Sequence, residues 1–539
     1  LANFTLNNRE ETIQRLSTKQ FDCIVIGGGI TGVGIALDAA SRGMSVALVE
    51  MNDFASGTSS KSTKLVHGGL RYLKQFEIKE VAVLGREREI VYENGPHITT
   101  PEKMLLPFHK GGTFGRTGTS IGLKLYDSLA KVKKSERRKM LSKEEVMNKV
   151  PFIKKEGLLG GGLYVEYRTD DARLTIEVAK KAHEYGALLI NYCKVEDFVL
   201  DNHTISGVKV IDQLTNQSFN ILGKVVVNAT GPSVDQFRKK VTYDNDKHIQ
   251  LSKGVHIVID GSKFPLKQAV YFDTPDNRMV FAIPRDGKTY VGTTDTFYYG
   301  DPNHVIATRE DQEYLIETIQ YMFPELNISF SDIESNWAGV RPLIAEENKK
   351  PSDISRKDEI WYSDSGLITI AGGKLTGYRK MAEDIVDVMA KKIGGSFKQC
   401  NTKNIRLSGG DFKNSQEFHL YVDNEMKRGK IDGLDAEQQR KILSVYGSNA
   451  PKVFKYIESN HTNLPNDIYC QLMYAIDEEM AALPEDFIDR RSSLVLFDIE
   501  RTIQCKDEII KVMAEKFNWD EKAVTLYNKN MNELIDNVT

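Results

Sequence analysis

Three glycines at fixed spacing are the first residues in this chain that could do chemistry. Gly27-x-Gly29-x-x-Gly32 lies in the run GGGITG, and Glu50 follows 18 residues after Gly32. This is the spacing that a dinucleotide pyrophosphate requires. The first glycine permits a tight turn, the second lets backbone approach the phosphates, and the third lets a helix pack on a strand. A helix opening at about Thr31 turns its free N–H groups and partial positive charge toward those phosphates. A carboxylate at Glu50 can accept hydrogen bonds from ribose hydroxyls.

The elements that must position these residues are legible around them. The apolar run Cys23-Ile24-Val25-Ile26 predicts a buried strand, and 31–42 a helix lined with Gly34, Ala36, Ala39 and Ala40. Gly43 is placed to cap that helix, and 45–49 predicts a second strand ending at Glu50. Strand, glycine turn, helix, strand and acidic residue together make a βαβ opening. One glycine turn does not separate NAD from FAD. Two later segments favour FAD: 225–231, a strand running into Ala229-Thr230-Gly231, and 368–373, a strand ending in Gly372-Gly373 before a helix over 376–393. A second helix N-terminus there could face the electron-rich end of a reduced flavin ring.

Elsewhere, 53–72 is rich in Ser, Thr, Gly, Lys and His. Helices are predicted over 78–93, 174–185 and 311–322, and alternating strands over 187–198, 205–213 and 218–228, with more between 250 and 300. After about residue 400 every predicted element is a helix: 416–428, 436–446, 450–459, 467–480, 507–517 and 520–535. The expected class is α/β: a Rossmann-like FAD-binding domain, a sheet-containing substrate (cap) domain and a C-terminal all-helical domain. The FAD-binding parts are about 20–90, 171–235 and 345–400, the substrate parts about 91–170 and 236–344, and the helical domain 401–539.

Composition narrows the function. The chain has 539 residues, 40% hydrophobic and 27% charged, with a net charge of −3. That balance argues against a protein built to coat nucleic acid. Five widely spaced cysteines with no C-x-x-C pair argue against a disulfide framework or a zinc site, and fit a reducing compartment. The longest uncharged run near the N-terminus, 23–37, is too short and glycine-rich to span a bilayer, so any membrane contact is expected to be peripheral.

Over nearly its whole length the sequence resembles the FAD-dependent glycerol-3-phosphate dehydrogenase family, aerobic enzymes that pass electrons to quinone. The carrying segments are DCIVIGGGITGVGIALDAASRG at 22–43, SSKSTKLVHGGLRYL at 59–73 and VVVNATGPSVD at 225–235. KGVHIVID at 253–260, VGTTDT at 291–296, AGVRPL at 338–343 and AGGKLTGYRKMAED at 371–384 complete them. HGGLRYL and GGKLTGYRKMAE are the most specific. The stretch 486–494, with Arg490-Arg491, looks like the family's helical tail. Gly377 is a departure, standing where some members carry Thr.

The resemblance implies oxidation of glycerol 3-phosphate at C2 to dihydroxyacetone phosphate, with hydride passing to FAD while a base takes the hydroxyl proton. It puts Arg71, Tyr72, Arg341 and Lys374 in the substrate pocket, where fixed cations suit a small dianion. His256 is the matching general base, since imidazole titrates near working pH. Toward FAD it implies Thr58, Ser59, Ser60, His67, Gly68, Leu70, Val195, Ala229, Gly231, Gly373, Leu375 and Thr376, besides the glycine turn and Glu50. It further implies a quinone acceptor, a cytoplasmic protein touching the inner face of the membrane, and a homodimer; no metal is called for. The basic run KVKKSERRK at 131–139 is a candidate for contact with anionic lipid. Alternatives are an oxidase using O2, whose members carry a mid-chain insert not seen here, another flavin amine or amino-acid oxidase, and a non-catalytic scaffold.

Overall fold

The computed structural model describes residues 4–67, 78–113, 115, 137–241, 247–346, 354 and 356–539. Gly68, Leu70, Arg71, Tyr72 and most of the basic run, 131–136, lie outside the described residues.

The first strand, Gln20–Ile26, is the centre of a sheet built mostly from parallel neighbours. Ser218–Asn228 and Val46–Val49 flank it, with Ile368–Gly372 and Leu188–Ile190 beyond them, all parallel. Such strands are covered on both faces, which is why 23–26 and 46–49 read as unbroken apolar runs. Helix Ile30–Ser41 covers one face and packs against helices Asp171–Glu184 and Tyr378–Ile393. The approach to the latter is close: a Cβ on Gly34 would lie 2.9 Å from the Tyr378 ring. The small residues of the first helix are therefore a packing seam.

A second sheet is mainly antiparallel. Its long strands are Thr99–His109, Leu158–Thr169, Ile249–Asp260 and Ile333–Ile344, with shorter strands 269–273, 279–285 and 288–292 between. Beyond residue 400 the chain is helical, and these helices share a core with the second sheet. Leu494, Val495, Phe497, Ile509, Met513 and Met531 pack in one buried cluster with Val258, Tyr290 and Trp337.

Several boundaries differ from the sequence reading. The run 187–198 is two strands, Leu188–Ile190 and Cys193–Asp201, separated at Tyr192, whose φ is +53°. The helix expected over 450–459 ends at Phe454 and resumes as a 3-10 turn. The helix expected from 507 starts at Ile499, where Asp498 accepts from the Arg501 N–H as an N-cap. The stretch 486–494 is not a regular helical tail: Asp486–Arg491 forms a π-helical turn, followed by a short helix Leu494–Phe497.

That π-turn carries a buried charge cluster. The Asp53 carboxylate, fully buried, accepts from Arg491 Nη1 at 2.7 Å and Nη2 at 2.9 Å, and from Arg490 Nε at 2.7 Å. Asn191 Nδ2 adds a further donor at 3.1 Å. Arg490 also reaches Asp486 at 2.6 Å and Asp489 at 3.0 Å. Burial alone would raise the Asp53 pKa, but Arg491 and Arg490 outweigh it and hold the carboxyl below its ordinary value. Removing one member would strand buried charge, a cost of about 3–5 kcal/mol. Asp53→Ala is expected to lose that much in chemical denaturation, and far more than Asp423→Ala, whose carboxylate forms an exposed pair with Arg440. Equal effects would remove the cluster from the fold's essential contacts.

Candidate active site

A cavity of about 1250 Å³ opens where the carboxyl ends of the parallel strands meet the second sheet. Ile26, Val49, Ala229 and Ile370 mark the strand ends, and Gly254, Thr293 and Arg341 belong to the facing side. In open α/β sheets this is where ligands bind.

The dinucleotide end follows the glycine turn. Gly27 has φ +109°, and a Cβ there would sit 2.5 Å from the Ala229 carbonyl oxygen. A Cβ on Gly32 would sit 1.9 Å from the Gly27 carbonyl oxygen, so the helix can meet the turn only without a side chain. Gly27 and Gly29 both line the cavity, and the nearest atom to a Cβ on Gly29 is Ser59 Oγ at 3.0 Å. Ser59 Oγ accepts from the Ile30 N–H at 2.9 Å, at the first turn of the helix. Ile30, Thr31, Thr58, Val195, Gly231, Gly373, Leu375 and Thr376 also line the cavity. Ser60 and Gly32 do not; Ser60 is buried behind it, and its carbonyl accepts from Lys64 Nζ.

Glu50 stands at the end of its strand as expected, with both oxygens engaged. Oε2 accepts from the Gly28 N–H at 2.6 Å and Oε1 from the Asn52 N–H at 2.9 Å. Burial raises its pKa, and these N–H groups oppose the rise. The carboxylate thus ties the glycine turn to the second strand as well as lining the cavity.

The cavity wall also carries cations. Arg341 donates from Nη2 to Thr293 Oγ1 at 2.9 Å and from Nη1 to Asp295 Oδ1 at 3.5 Å. Arg356 Nη2 donates to the other Asp295 oxygen at 3.2 Å. Lys374 heads the turn Leu375–Gly377, and with Lys61 it also lines the cavity. His67 is bound through its backbone, donating to and accepting from Thr376 Oγ1 at 3.1 Å. Its imidazole pKa falls to about 3 through burial, with Lys374, Arg356 and Arg88 adding to the fall. A Cβ on Gly377 would meet only Leu84 Cδ2, at 3.4 Å, so the departure from Thr there leaves the turn intact.

His256 does not line the cavity. It lies two residues beyond the cavity-lining Gly254 on the same strand, stacked on Trp337 at 4.6 Å. Its Nε2 is 3.0 Å from Thr63 Oγ1, and Thr63 does line the cavity. Burial, then Arg341 and Lys64, push its pKa well below the ordinary imidazole value, so the ring is neutral at pH 7.

Sequence reasoning missed Lys61, Thr63, Asp295 and Arg356. Lys61 and Thr63 stand inside the family-like segment 59–73, but nothing in spacing distinguishes a cavity cation from a surface lysine. Arg356 carries no local motif at all.

These features fit FAD. One cavity takes in both the phosphate-type turn and several cations, and side chains are missing where a pyrophosphate must approach. Gly29→Val would fill that approach and is expected to purify with FAD occupancy lowered at least tenfold, read from the flavin absorbance per protein. Full occupancy would remove the phosphate role of this turn.

Residues 22–379 match the FAD dependent oxidoreductase family, and 400–524 match the C-terminal domain of alpha-glycerophosphate oxidase. The aerobic glycerol-3-phosphate dehydrogenase of Bacillus subtilis (strain 168) is 56% identical over 99% of this chain and 98% of its own. That of Staphylococcus aureus (strain bovine RF122 / ET3-1) is 56% identical over 98% and 96%. The X-ray structure of the glycerol-3-phosphate dehydrogenase from Bacillus halodurans complexed with FAD superposes with a TM-score of 0.86 at 45% identity, covering 99% of this chain and 98% of that one. An L-α-glycerophosphate oxidase from Mycoplasma pneumoniae, at 16% identity and TM-score 0.55 over 71% of this chain and 97% of its own, shares the fold alone. Among the described residues no helix is long and apolar enough to cross a membrane. By fold, cavity and near full-length identity, the chain belongs to the FAD-dependent oxidoreductases and, within them, to the aerobic glycerol-3-phosphate dehydrogenase family.

Proposed function

We propose that this chain oxidises the C2 hydroxyl of glycerol 3-phosphate to the ketone, giving dihydroxyacetone phosphate, with FAD as its cofactor. The observation that carries the reading is a single cavity lined both by the dinucleotide turn and by the cations Arg341, Arg356 and Lys374. A small dianion needs fixed cations, and guanidinium forks donate paired hydrogen bonds to phosphate. Asp295 offsets part of that charge and holds both arginines in place.

When bound, FAD accepts the hydride that leaves C2. The chain's own residues manage the proton and the charge. Thr63 can take the substrate hydroxyl proton while passing its own to His256 Nε2, so His256 acts as base through one hydroxyl. The imidazole is neutral beforehand, the state a base requires. Arg341 stabilises charge that develops as the C–O bond becomes a carbonyl. Arg71 and Tyr72 belong to the proposed pocket through the resemblance only. Quinone as the final acceptor, and the reversible contact with a membrane surface that a quinone demands, form part of the same proposal.

Anaerobic addition of glycerol 3-phosphate should bleach the flavin, and quinone should restore the colour faster than oxygen does. Flavin that stays oxidised would overturn the substrate. Arg341→Ala and Lys374→Ala should keep FAD and each lose about ten- to a hundredfold in substrate binding, from roughly 1.5–3 kcal/mol per charge-assisted bond, with any transition-state loss added. Near-normal kinetics in both would remove them from the site. Because protonating His256 stops it accepting a proton, and its folded pKa lies well below 6.5, kcat should stay level as pH falls through 6.5. An acid limb centred in the ordinary imidazole range, and lost in His256→Asn, would contradict the depressed pKa.

A further inference from the structure

Lys61 is a cation of the cavity wall whose orientation is set from the far end of the chain. Its Nζ lies 3.0 Å from Asp489 Oδ2 and 3.3 Å from Oδ1. Asp489 is 3% exposed and sits on the π-turn Asp486–Arg491. Burial would raise its pKa, but Lys61 and Arg490 outweigh burial and keep it ionised. The backbone of Lys61 is equally constrained. It is seated against Gly339, where a Cβ would lie 2.5 Å from Lys61 Cβ and 2.9 Å from its carbonyl oxygen. On either side, Ser59 receives the N–H of the dinucleotide helix and Thr63 meets His256. Ser62 and Lys64 are both anchored on Asp171.

Lys61 differs from the neighbouring Lys64, which is also fixed by a carboxylate but does not line the cavity. At Lys61 a long flexible side chain is fixed at considerable entropic cost, by a carboxylate that is itself locked by Arg490. An ammonium has three donors, and one carboxylate leaves it capacity for another acceptor.

We propose that Lys61 donates to an oxyanion bound in the cavity, and that Asp489 is the positioning residue that aims it. The inference rests on the reading of the cavity as an FAD and glycerol 3-phosphate site. Three anions share the required chemistry: the pyrophosphate of FAD, the negative charge that FAD gains on reduction, and the phosphate of the substrate.

The experiment compares Lys61→Met, Lys61→Arg and Asp489→Asn in the full chain. One arm titrates FAD into apoprotein, a second measures the flavin midpoint potential against a reference dye, and a third separates KM from kcat for glycerol 3-phosphate. Lys61→Met is expected to weaken one arm about ten- to a hundredfold, with Lys61→Arg restoring most of it and Asp489→Asn moving the same arm to a smaller degree. Weaker FAD binding identifies the pyrophosphate. A lower potential at unchanged FAD affinity identifies the reduced ring, and a raised KM at unchanged kcat the substrate phosphate. If Lys61→Met leaves all three arms unchanged, the pair is only structural and the proposal fails. It fails equally if Asp489→Asn folds and moves a different arm from Lys61→Met. Should Asp489→Asn fail to fold, the two Lys61 variants decide alone, since Lys61 is 20% exposed and Asp489 keeps Arg490 as a partner without it. If wild type binds FAD but does not bleach with glycerol 3-phosphate, the substrate reading fails, while the FAD and potential arms still test Lys61.

Discussion

The pairing of Asp53 with Arg490 and Arg491 is the constraint on which the rest of this structure leans. A carboxylate with no access to water is tolerable only with matched charge around it. Asp53, Asp486 and Asp489 face Arg490, Arg491 and Lys61, and Arg491 also lies 3.9 Å from the buried Glu479. Asp53 follows the strand that ends at Glu50, while its arginines come from beyond residue 480. The cluster therefore clamps the C-terminal helices to the dinucleotide turn, and through Asp489 it extends to the cavity wall. The helical region is thus joined to the redox site by ionic contact as well as by the apolar core it shares with the second sheet.

The Arg341 part of the cavity wall shows a related economy. Arg341 and Arg356 share one carboxylate, Asp295, which Ser252 also contacts. Both guanidinium groups are thereby oriented without being fully neutralised, and under the proposed function a substrate dianion would meet cations already in place. Preorganisation of this kind lowers the reorganisation that charge development would otherwise demand. One of these cations, Arg341, acts with burial and Lys64 to push the His256 pKa down. In the proposed mechanism Arg341 would thus bear on both substrate binding and the basicity of His256.

What is legible in the sequence is local. Gly27, Gly29, Gly32 and Glu50 sit within one βαβ unit, so their spacing fixes their geometry, and the structure places each at the turn as expected. Apolar runs mark the central strands for the same reason. Lys61 and Arg356 are not legible, because a cation's role depends on which cavity it faces. Arg490 and Arg491 stand out in the sequence only as part of a family-like tail; their burial on a π-turn depends on an aspartate more than four hundred residues away. The strand carrying His256 is correctly predicted, but its alternation cannot show that Thr63 stands between the imidazole and the cavity. Helix boundaries slip where a cap outweighs apolar spacing, as at Asp498.

The order of the parallel sheet has a consequence for how the chain is born. Gln20–Ile26 takes its neighbour Ser218–Asn228 from some two hundred residues later, and that strand in turn waits for Ile368–Gly372. At translation rates of roughly 5–20 residues per second, the opening strand leaves the ribosome about 10–40 s before its partner. During that interval an apolar edge stands open, the kind of template on which other nascent chains pair. The enzyme's dependence on chaperones should therefore be greatest while it is being synthesised, and it should be least tolerant of ribosome pausing between its second strand and residue 228.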